Sequence, residues 1–299
     1  VTLQPGATLG FVGLGNMGTP MVRRLVEAGY EVRGYDTDPE ARERVAALGA
    51  TVVSEVDKVA AGADAVLLML PNSDVVERVL YSDGLLEAAR PGTVLVDMGS
   101  SRPHSTRTVA EWAASRGVPM VDAPVSGGVG GAEAGTLTVM AGGAAEDVEH
   151  VRPVLERIGG KVQHVGDVGA GHALKALNNL MSATHLLVSS EALLAGQEFG
   201  LDPEVMLDVV NGSSGRSGST EAKWPKFVLP GTFDSGFGLR LMLKDMRIAV
   251  ELARETGLPS ALGESAVELW AKAAEELPPT ADHTEIVRWL QNEHGKGRR

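Results

Sequence analysis

The chain has 299 residues, 43% hydrophobic and 22% charged, enough for two domains and a sizeable core. Its formal net charge of −12, without a basic stripe, argues against nucleic acid or an anionic membrane surface as partner, and the tail Lys296, Arg298, Arg299 reads as an ordinary chain end. The absence of cysteine excludes disulfides, thiolate nucleophiles and cysteine-held zinc. No apolar run has the length to span a bilayer. The seven histidines include no close pair at metal-ligand spacing, so no metal site is expected. Residues 1–7 do not read as a secretory signal, which fits a cytoplasmic chain, although Val1 in place of Met leaves an upstream segment open.

In chain order, short apolar runs predict strands near 8–13, 31–35, 51–53, 65–70, 93–97, 118–122, 136–141 and 161–164. Helical patterns fall between most of them, near 17–28, 39–48, 73–80, 104–116 and 145–157. Such alternation means βαβ units and a mostly parallel sheet. Ala65 to Leu70 is apolar throughout, as a strand covered on both faces should be. Beyond about residue 165 the strand signals stop. Residues 170–198 read as one helix of about 45 Å, followed by helices near 203–211, 217–227, 239–256, 260–275 and 283–292. The expected architecture is α/β: a Rossmann-type doubly wound sheet over 1–165, then an all-helical domain over 166–299 for substrate and oligomerisation, joined by a long interdomain helix.

The first strand runs into Gly13-Leu14-Gly15-Asn16-Met17-Gly18, which opens an amphipathic helix with Met17, Met21, Leu25 and Ala28 on one side. Glycines in that turn let the backbone approach a pyrophosphate, and the helix N-terminus offers free N–H groups to the anion. A lone GxGxxG is weak; here the strand before, the helix after and an acid after the next strand agree. That acid is Asp36, 18 residues past Gly18, placed to accept hydrogen bonds from the adenosine ribose hydroxyls and to repel a 2′-phosphate. The residues favour NAD. Arg33, Arg42 and Arg44 lie near enough in sequence to keep NADP as the alternative.

Two further patterns carry chemistry. In Asp122-Ala-Pro-Val-Ser-Gly-Gly128, Ser126 with Gly127 and Gly128 offers a hydroxyl and bare N–H groups to a carboxylate; an ordinary flexible loop is the competing reading. On the long helix, Leu174, Leu177, Leu180, Met181, Leu186, Leu187, Leu193 and Leu194 cannot share one face, so the helix is expected to be buried, in part at a subunit contact. Lys175, Asn178, Asn179 and Ser182 follow i, i+3, i+4, i+7, one polar stripe. A lysine snorkelling to water is the bland alternative. The adjacent amides argue against it, since nothing structural needs them in mid-helix.

Four segments in this order resemble the β-hydroxyacid dehydrogenases, the group that includes 3-hydroxyisobutyrate dehydrogenase. They are Gly10-Phe-Val-Gly-Leu-Gly-Asn-Met-Gly18, Asp122-Ala-Pro-Val-Ser-Gly-Gly128, Gly171-His-Ala-Leu-Lys-Ala-Leu-Asn-Asn179 and Lys244-Asp-Met246. The resemblance covers nearly the whole chain. It implies that Lys175 is the catalytic lysine and that Asn179 acts beside it. It implies Ser126, Gly127, Gly128 and Asn178 around the substrate, and Met69, Leu70, Pro71, Val75 and Ser100 around the cofactor. Lys244 would reach the nicotinamide side. One departure is Asp97-Met98-Gly99-Ser100-Ser101, where relatives commonly carry a small polar pair and threonine; this puts the hydroxyl role of Ser100 in doubt. Asn211-Gly-Ser-Ser-Gly-Arg-Ser217 is more similar to 3-hydroxyisobutyrate dehydrogenases than to tartronate semialdehyde reductases.

The chemistry that follows is reversible oxidation of a small 3-hydroxy acid to its semialdehyde. Hydride leaves the carbinol carbon for nicotinamide C4 while a lysine close to the hydroxyl takes its proton. Alternatives are a reductase of another small aldehyde or keto acid of the tartronate semialdehyde, succinic semialdehyde or sulfolactaldehyde type, and a non-catalytic NAD-binding sensor. Oxidative decarboxylation is disfavoured because related 6-phosphogluconate dehydrogenases place a glutamate where this chain has Ser182. Imine reductases usually carry aspartate or tyrosine at the position of Lys175. Relatives pair through the helical half, so a homodimer or homotetramer is expected.

Overall fold

A computed structural model describes residues 2–296 of the chain. The chain divides into two compact units, Val1–Lys175 and Ala176–Arg299.

The first unit holds a nine-stranded sheet: β1 (Thr8–Val12), β2 (Glu31–Tyr35), β3 (Thr51–Val52), β4 (Ala65–Leu68), β5 (Val94–Asp97), β6 (Met120–Asp122), β7 (Val125–Ser126), β8 (Leu137–Gly142) and β9 (Gly159–Gly166). The order is β3-β2-β1-β4-β5-β6-β8-β7, with β9 on the other edge of β8. Strands β1 to β6 are parallel to their neighbours; β8 runs antiparallel to β6 and β7, and β9 runs parallel to β8. The chain leaves β1 for β2 on one side and returns to β4 on the other. This is the topological switch point, where a crevice opens beyond the strand C-termini. β4 and β5 are buried at every residue, β4 as an all-apolar central strand and β5 with Asp97 at its C-terminal end. The predicted strands all form. The two-residue β7 and the short helices Asp57–Ala60, Leu85–Ala88 and Gly128–Ala134 carry too few residues for a periodic signal, and the sequence reading lacked them.

The second unit is helical among its described residues: Pro203–Asn211, Leu239–Glu255, Ala261–Glu276 and Ile286–Lys296, with most of the long helix Ala170–Phe199. Its core gathers Leu186, Leu193, Trp224, Met246, Trp270 and Ile286. Three expected α-helices are modified. Residues 73–80 become a short α-helix ending in a π-helical turn, Arg78–Ser82. Residues 217–227 become a π-helix, Ser219–Val228, and the last helix begins with the 3₁₀ turn His283–Glu285.

The long helix forms as expected, but the compact units meet inside it, at Lys175/Ala176. Its first turn is bound into the sheet unit. The Asp122 carboxylate, at the end of β6, accepts from the N–H groups of Gly169 (2.6 Å) and His172 (2.8 Å), capping donors that a helix start leaves unpaired. A side chain at Gly171 would run into the carbonyl of Met140, so glycine permits this approach. The helix is also less buried than its composition implied. Leu186, Leu187, Leu193 and Leu194 are buried, but Leu177, Met181 and Val188 are exposed.

Candidate active site

In the first unit, the loops after β1, β2, β4 and β5 meet at the strand C-termini. Gly13 has φ +97°, and a side chain there would strike the carbonyl of Met69. One at Gly18 would strike the carbonyl of Gly13. These two glycines are demanded by the fold. Gly15 is exposed, and a Cβ built on it meets nothing within 4 Å. Its missing side chain serves no packing contact within the chain; it leaves exposed bare backbone of the kind that the close approach of a pyrophosphate requires. The loop therefore fits a dinucleotide. Asn16 is exposed and Met17 half-buried beside it. The Leu14 side chain is fully buried in the sheet core, so within the loop it offers backbone alone.

Asp36 follows β2 and closes the same turn. Its Oδ2 accepts from the Leu14 N–H (2.6 Å) and its Oδ1 from the Asp38 N–H (2.9 Å). These bonds hold the carboxylate at the crevice. The nearby arginines are engaged elsewhere: Arg42 with the Asp36 carbonyl, Arg44 with the Asp38 carboxylate at 3.7 Å, and Arg33 with the Ala61 carbonyl. Met69 and Leu70 are half-buried next to Gly13, Pro71 is exposed, and Val75 sits in the first turn of Ser73–Glu77, its N–H capped by Asn72 Oδ1 (3.0 Å). Ser100 is half-buried in the loop after β5, where Asp97 accepts from the Gly99 N–H and the Ser101 hydroxyl.

Ser126 ends β7 opposite Thr138, its hydroxyl without a hydrogen-bond partner among the described residues. Gly127 and Gly128 have φ +136° and +63°, and Gly128 faces open space, so this loop too presents bare backbone. Lys175 lies on the second turn of the long helix, half-buried.

At the start of the helix that carries Lys175 lies a cluster that sequence reasoning missed. Asp97 and Asp122 are register partners at the ends of β5 and β6. His172 sits between them, 3.7 Å from Asp97 Oδ2 and 3.7 Å from Asp122 Oδ2, all three side chains fully buried. Thr106 Oγ1 is hydrogen bonded to His172 Nδ1 at 2.8 Å. Burial raises the Asp122 carboxyl above its ordinary range, opposed by His172 and the two N–H bonds. The signal available in sequence was one aspartate ending each of two neighbouring apolar strands.

In the second unit, Asn179 is buried, and its amide donates to Asp245 Oδ2 at 2.6 Å. Asn178 Nδ2 donates to Asn179 Oδ1 at 3.3 Å. Lys244 Nζ lies 3.2 Å from Asp245 Oδ1. The buried Asp245 thus gathers Asn179 and Lys244, two of the expected site residues, onto one carboxylate. A second polar cluster includes Lys223, which donates to Ser182 Oγ at 2.8 Å, with Asp282, His283 and Ser235 behind it. Burial lowers Lys223 to about 8, against the attraction of Asp282. Burial and then Lys223 itself hold His283 down to about 4.

Residues 8–166 match the family described as the NAD binding domain of 6-phosphogluconate dehydrogenase, and 169–290 the one described as NAD-binding of NADP-dependent 3-hydroxyisobutyrate dehydrogenase. The chain is 42% identical over 269 residues to 2-(hydroxymethyl)glutarate dehydrogenase of Eubacterium barkeri, covering 90% of this chain and 89% of that one. It is 38% identical over 275 residues to 3-hydroxyisobutyrate dehydrogenase of Pseudomonas aeruginosa, covering 89% and 92%. The solved structure of Mycobacterium tuberculosis 3-hydroxyisobutyrate dehydrogenase with L-serine matches with a TM-score of 0.90 at 36% identity, over 95% of this chain and 99% of that one. The dinucleotide cradle and these relatives define the class, NAD(P)-dependent oxidoreductases acting on CH–OH groups of small hydroxy acids. Within that class, the chain belongs to the β-hydroxyacid dehydrogenase family.

Proposed function

We propose that this enzyme reversibly oxidises a 3-hydroxy acid of the 3-hydroxyisobutyrate type to its semialdehyde, with Lys175 as general acid–base. The relatives' named substrates share one unit, a hydroxymethyl group on the carbon that bears a carboxylate. The observation that carries the reading is the mounting of Lys175. It stands one turn before Asn179 on a helix whose start Asp122 fixes to the sheet.

Ser126 Oγ and the backbone at Gly127 and Gly128 hold the substrate carboxylate. Asn178 and Asn179 orient the hydroxyl end, Asn179 kept in place by Asp245. Neutral Lys175 takes the hydroxyl proton as the carbonyl forms, and charged Lys175 returns it in the reverse direction. NAD, when bound, accepts the hydride. Gly13, Gly15 and Gly18 carry its pyrophosphate, Met69, Leu70, Pro71, Val75 and Ser100 line its pocket, and Lys244 approaches the nicotinamide side. NAD is preferred over NADP because Asp36 stands where a 2′-phosphate would come and each neighbouring arginine already has a partner.

Exposed Leu177, Met181, Val188, Val205 and Val209 support a homodimer or homotetramer formed through the helical half. No helix among the described residues is long and apolar enough to cross a membrane, and we assign the enzyme to the cytoplasm. Light scattering on the purified chain tests the oligomer.

The decisive experiment is Lys175→Ala, assayed with 3-hydroxyisobutyrate and NAD. The expected outcome is a loss of about 10³-fold in kcat with NAD affinity retained. Near wild-type turnover would remove Lys175 from the chemistry.

A further inference from the structure

No step of the reaction uses the imidazole of His172, yet the ring sits between two carboxylates that each hold a part of the site. Asp97, Thr106, Asp122, His172 and Lys175 all belong to the first unit. Asp122 fixes the start of the long helix through the N–H groups of Gly169 and His172. Lys175 follows His172 by three residues, one turn along on the same face of that helix. Asp97 fixes the loop after β5. Its Oδ1 accepts from the Gly99 N–H at 2.9 Å and its Oδ2 from the Ser101 hydroxyl at 2.8 Å, one on each side of Ser100. A side chain at Gly99 would strike the Leu70 carbonyl, so this loop lies directly against residues 69–71, which are also assigned to the cofactor.

The ring's surroundings decide where its proton lies. Nδ1 pairs with the Thr106 hydroxyl at 2.8 Å, and that hydroxyl also lies 3.1 Å from the Arg102 carbonyl. Nε2 is buried with no hydrogen-bond partner among the described residues, and Asp97 Oδ2 is 3.7 Å from it. A hydroxyl has one proton to give. Given to Nδ1, it requires the ring's own proton on Nε2. Given to Arg102, it makes Nδ1 the donor to Thr106, and a neutral ring would then turn a bare Nε2 lone pair on a carboxylate oxygen. A buried site penalises two acceptors that face each other with no proton between them. Every arrangement that avoids this puts a proton on Nε2, facing Asp97.

We propose that His172 is a positioning residue: its Nε2–H, set against Asp97, couples the loop that carries Ser100 to the helix that carries Lys175. The ring thereby fixes the proton acceptor relative to the cofactor wall. This rests on the readings of Lys175 as the acid–base and of the Ser100 loop as part of that wall. A misplacement of about 1 Å costs on the order of 10²-fold in rate, so the coupling acts on kcat. The substrate carboxylate, assigned to Ser126, Gly127 and Gly128, binds as before.

Two variants carry the same amide at different reach. His172→Gln brings an N–H close to the place of Nε2; His172→Asn, one methylene shorter, brings it near that of Nδ1. Both are assayed with 3-hydroxyisobutyrate and NAD, and turnover is counted per titrated NAD site, so that a loss of folded protein cannot imitate a loss of rate. His172→Asn is expected to lower kcat about 30-fold with KM for the hydroxy acid within about threefold of wild type, and His172→Gln to keep kcat within about threefold. Equal turnover by the two variants, or a loss confined to KM, overturns the coupling. Nitrogen-15 NMR of the histidine-labelled wild-type chain reads the ring itself and holds even where a variant fails to fold. A protonated Nε2 is expected at His172; a bare, pyridine-type Nε2 overturns the assignment. Lys175→Ala is run in parallel. If it abolishes turnover while His172→Asn keeps it, this inference falls and the catalytic reading stands. Full turnover by Lys175→Ala overturns the catalytic reading, and this inference with it.

Discussion

Two buried clusters, one in each unit, hold their ionisable groups in opposite ways. In the sheet unit, Asp97, His172 and Asp122 form a closed cluster. Each carboxylate accepts from backbone N–H groups or a hydroxyl, and His172 lies between them. In the helical unit, Lys223 has one good hydrogen bond and, among the described residues, no ion pair. A closed cluster does structural work, here fixing the helix that carries Lys175. An open cluster costs stability.

The largest effect that would break this contrast belongs to the closed cluster. Asp122→Ala strands the N–H groups of Gly169 and His172 in a buried site. It should cost about 4 kcal/mol, seen as a fall of about 10 °C in Tm. Turnover should fall with it, because the mount of Lys175 loosens. An unchanged melting curve would mean that the cap does not hold the helix.

The open cluster predicts the reverse sign. Below pH 8 the folded and unfolded chains both carry the Lys223 proton, and the folded chain bears the buried charge. Between about 8 and 10.5 the folded chain has released the proton while the unfolded chain keeps it, so stability rises with pH across that window. Lys223→Met should abolish this slope and raise stability at pH 7 by up to about 3 kcal/mol. Urea melts of both proteins at pH 7 and pH 10 measure it. A destabilised Lys223→Met at pH 7 would place the lysine among the structural groups.

The smallest effect sharpens the same distinction at the glycine loop. Gly15→Ala should leave stability within about 0.5 kcal/mol, since its Cβ meets nothing, yet weaken NAD binding about tenfold. Gly18→Ala, which drives a methyl into the Gly13 carbonyl, should instead destabilise by about 2 kcal/mol. Calorimetric NAD titration beside thermal melts separates the two.

Much of this was legible along the chain. The βαβ alternation, the glycine turn after β1, Asp36 after β2 and the 30-residue helix are all patterns within a few turns of sequence, and all appear in the structure. The polar stripe was legible for the same reason, as helical spacing alone puts Lys175, Asn179 and Ser182 on one face. Short elements such as β7, and the π-helical forms, have too little periodicity to be read. Leu14 shows another limit: a residue inside the glycine motif can send its side chain into the core, which the motif's spacing does not reveal.

By itself, then, the sequence determined the order of elements, the dinucleotide loop and the side chains the long helix displays, because those follow from backbone geometry over short distances. Only the tertiary structure decided what those side chains touch. Asp122 meets the N–H of His172 across 50 residues, Asn179 meets Asp245 across 66, and Ser182 meets Lys223 across 41. No local periodicity specifies such pairs. They arise when packing brings distant polar groups together in a medium that penalises leaving them alone.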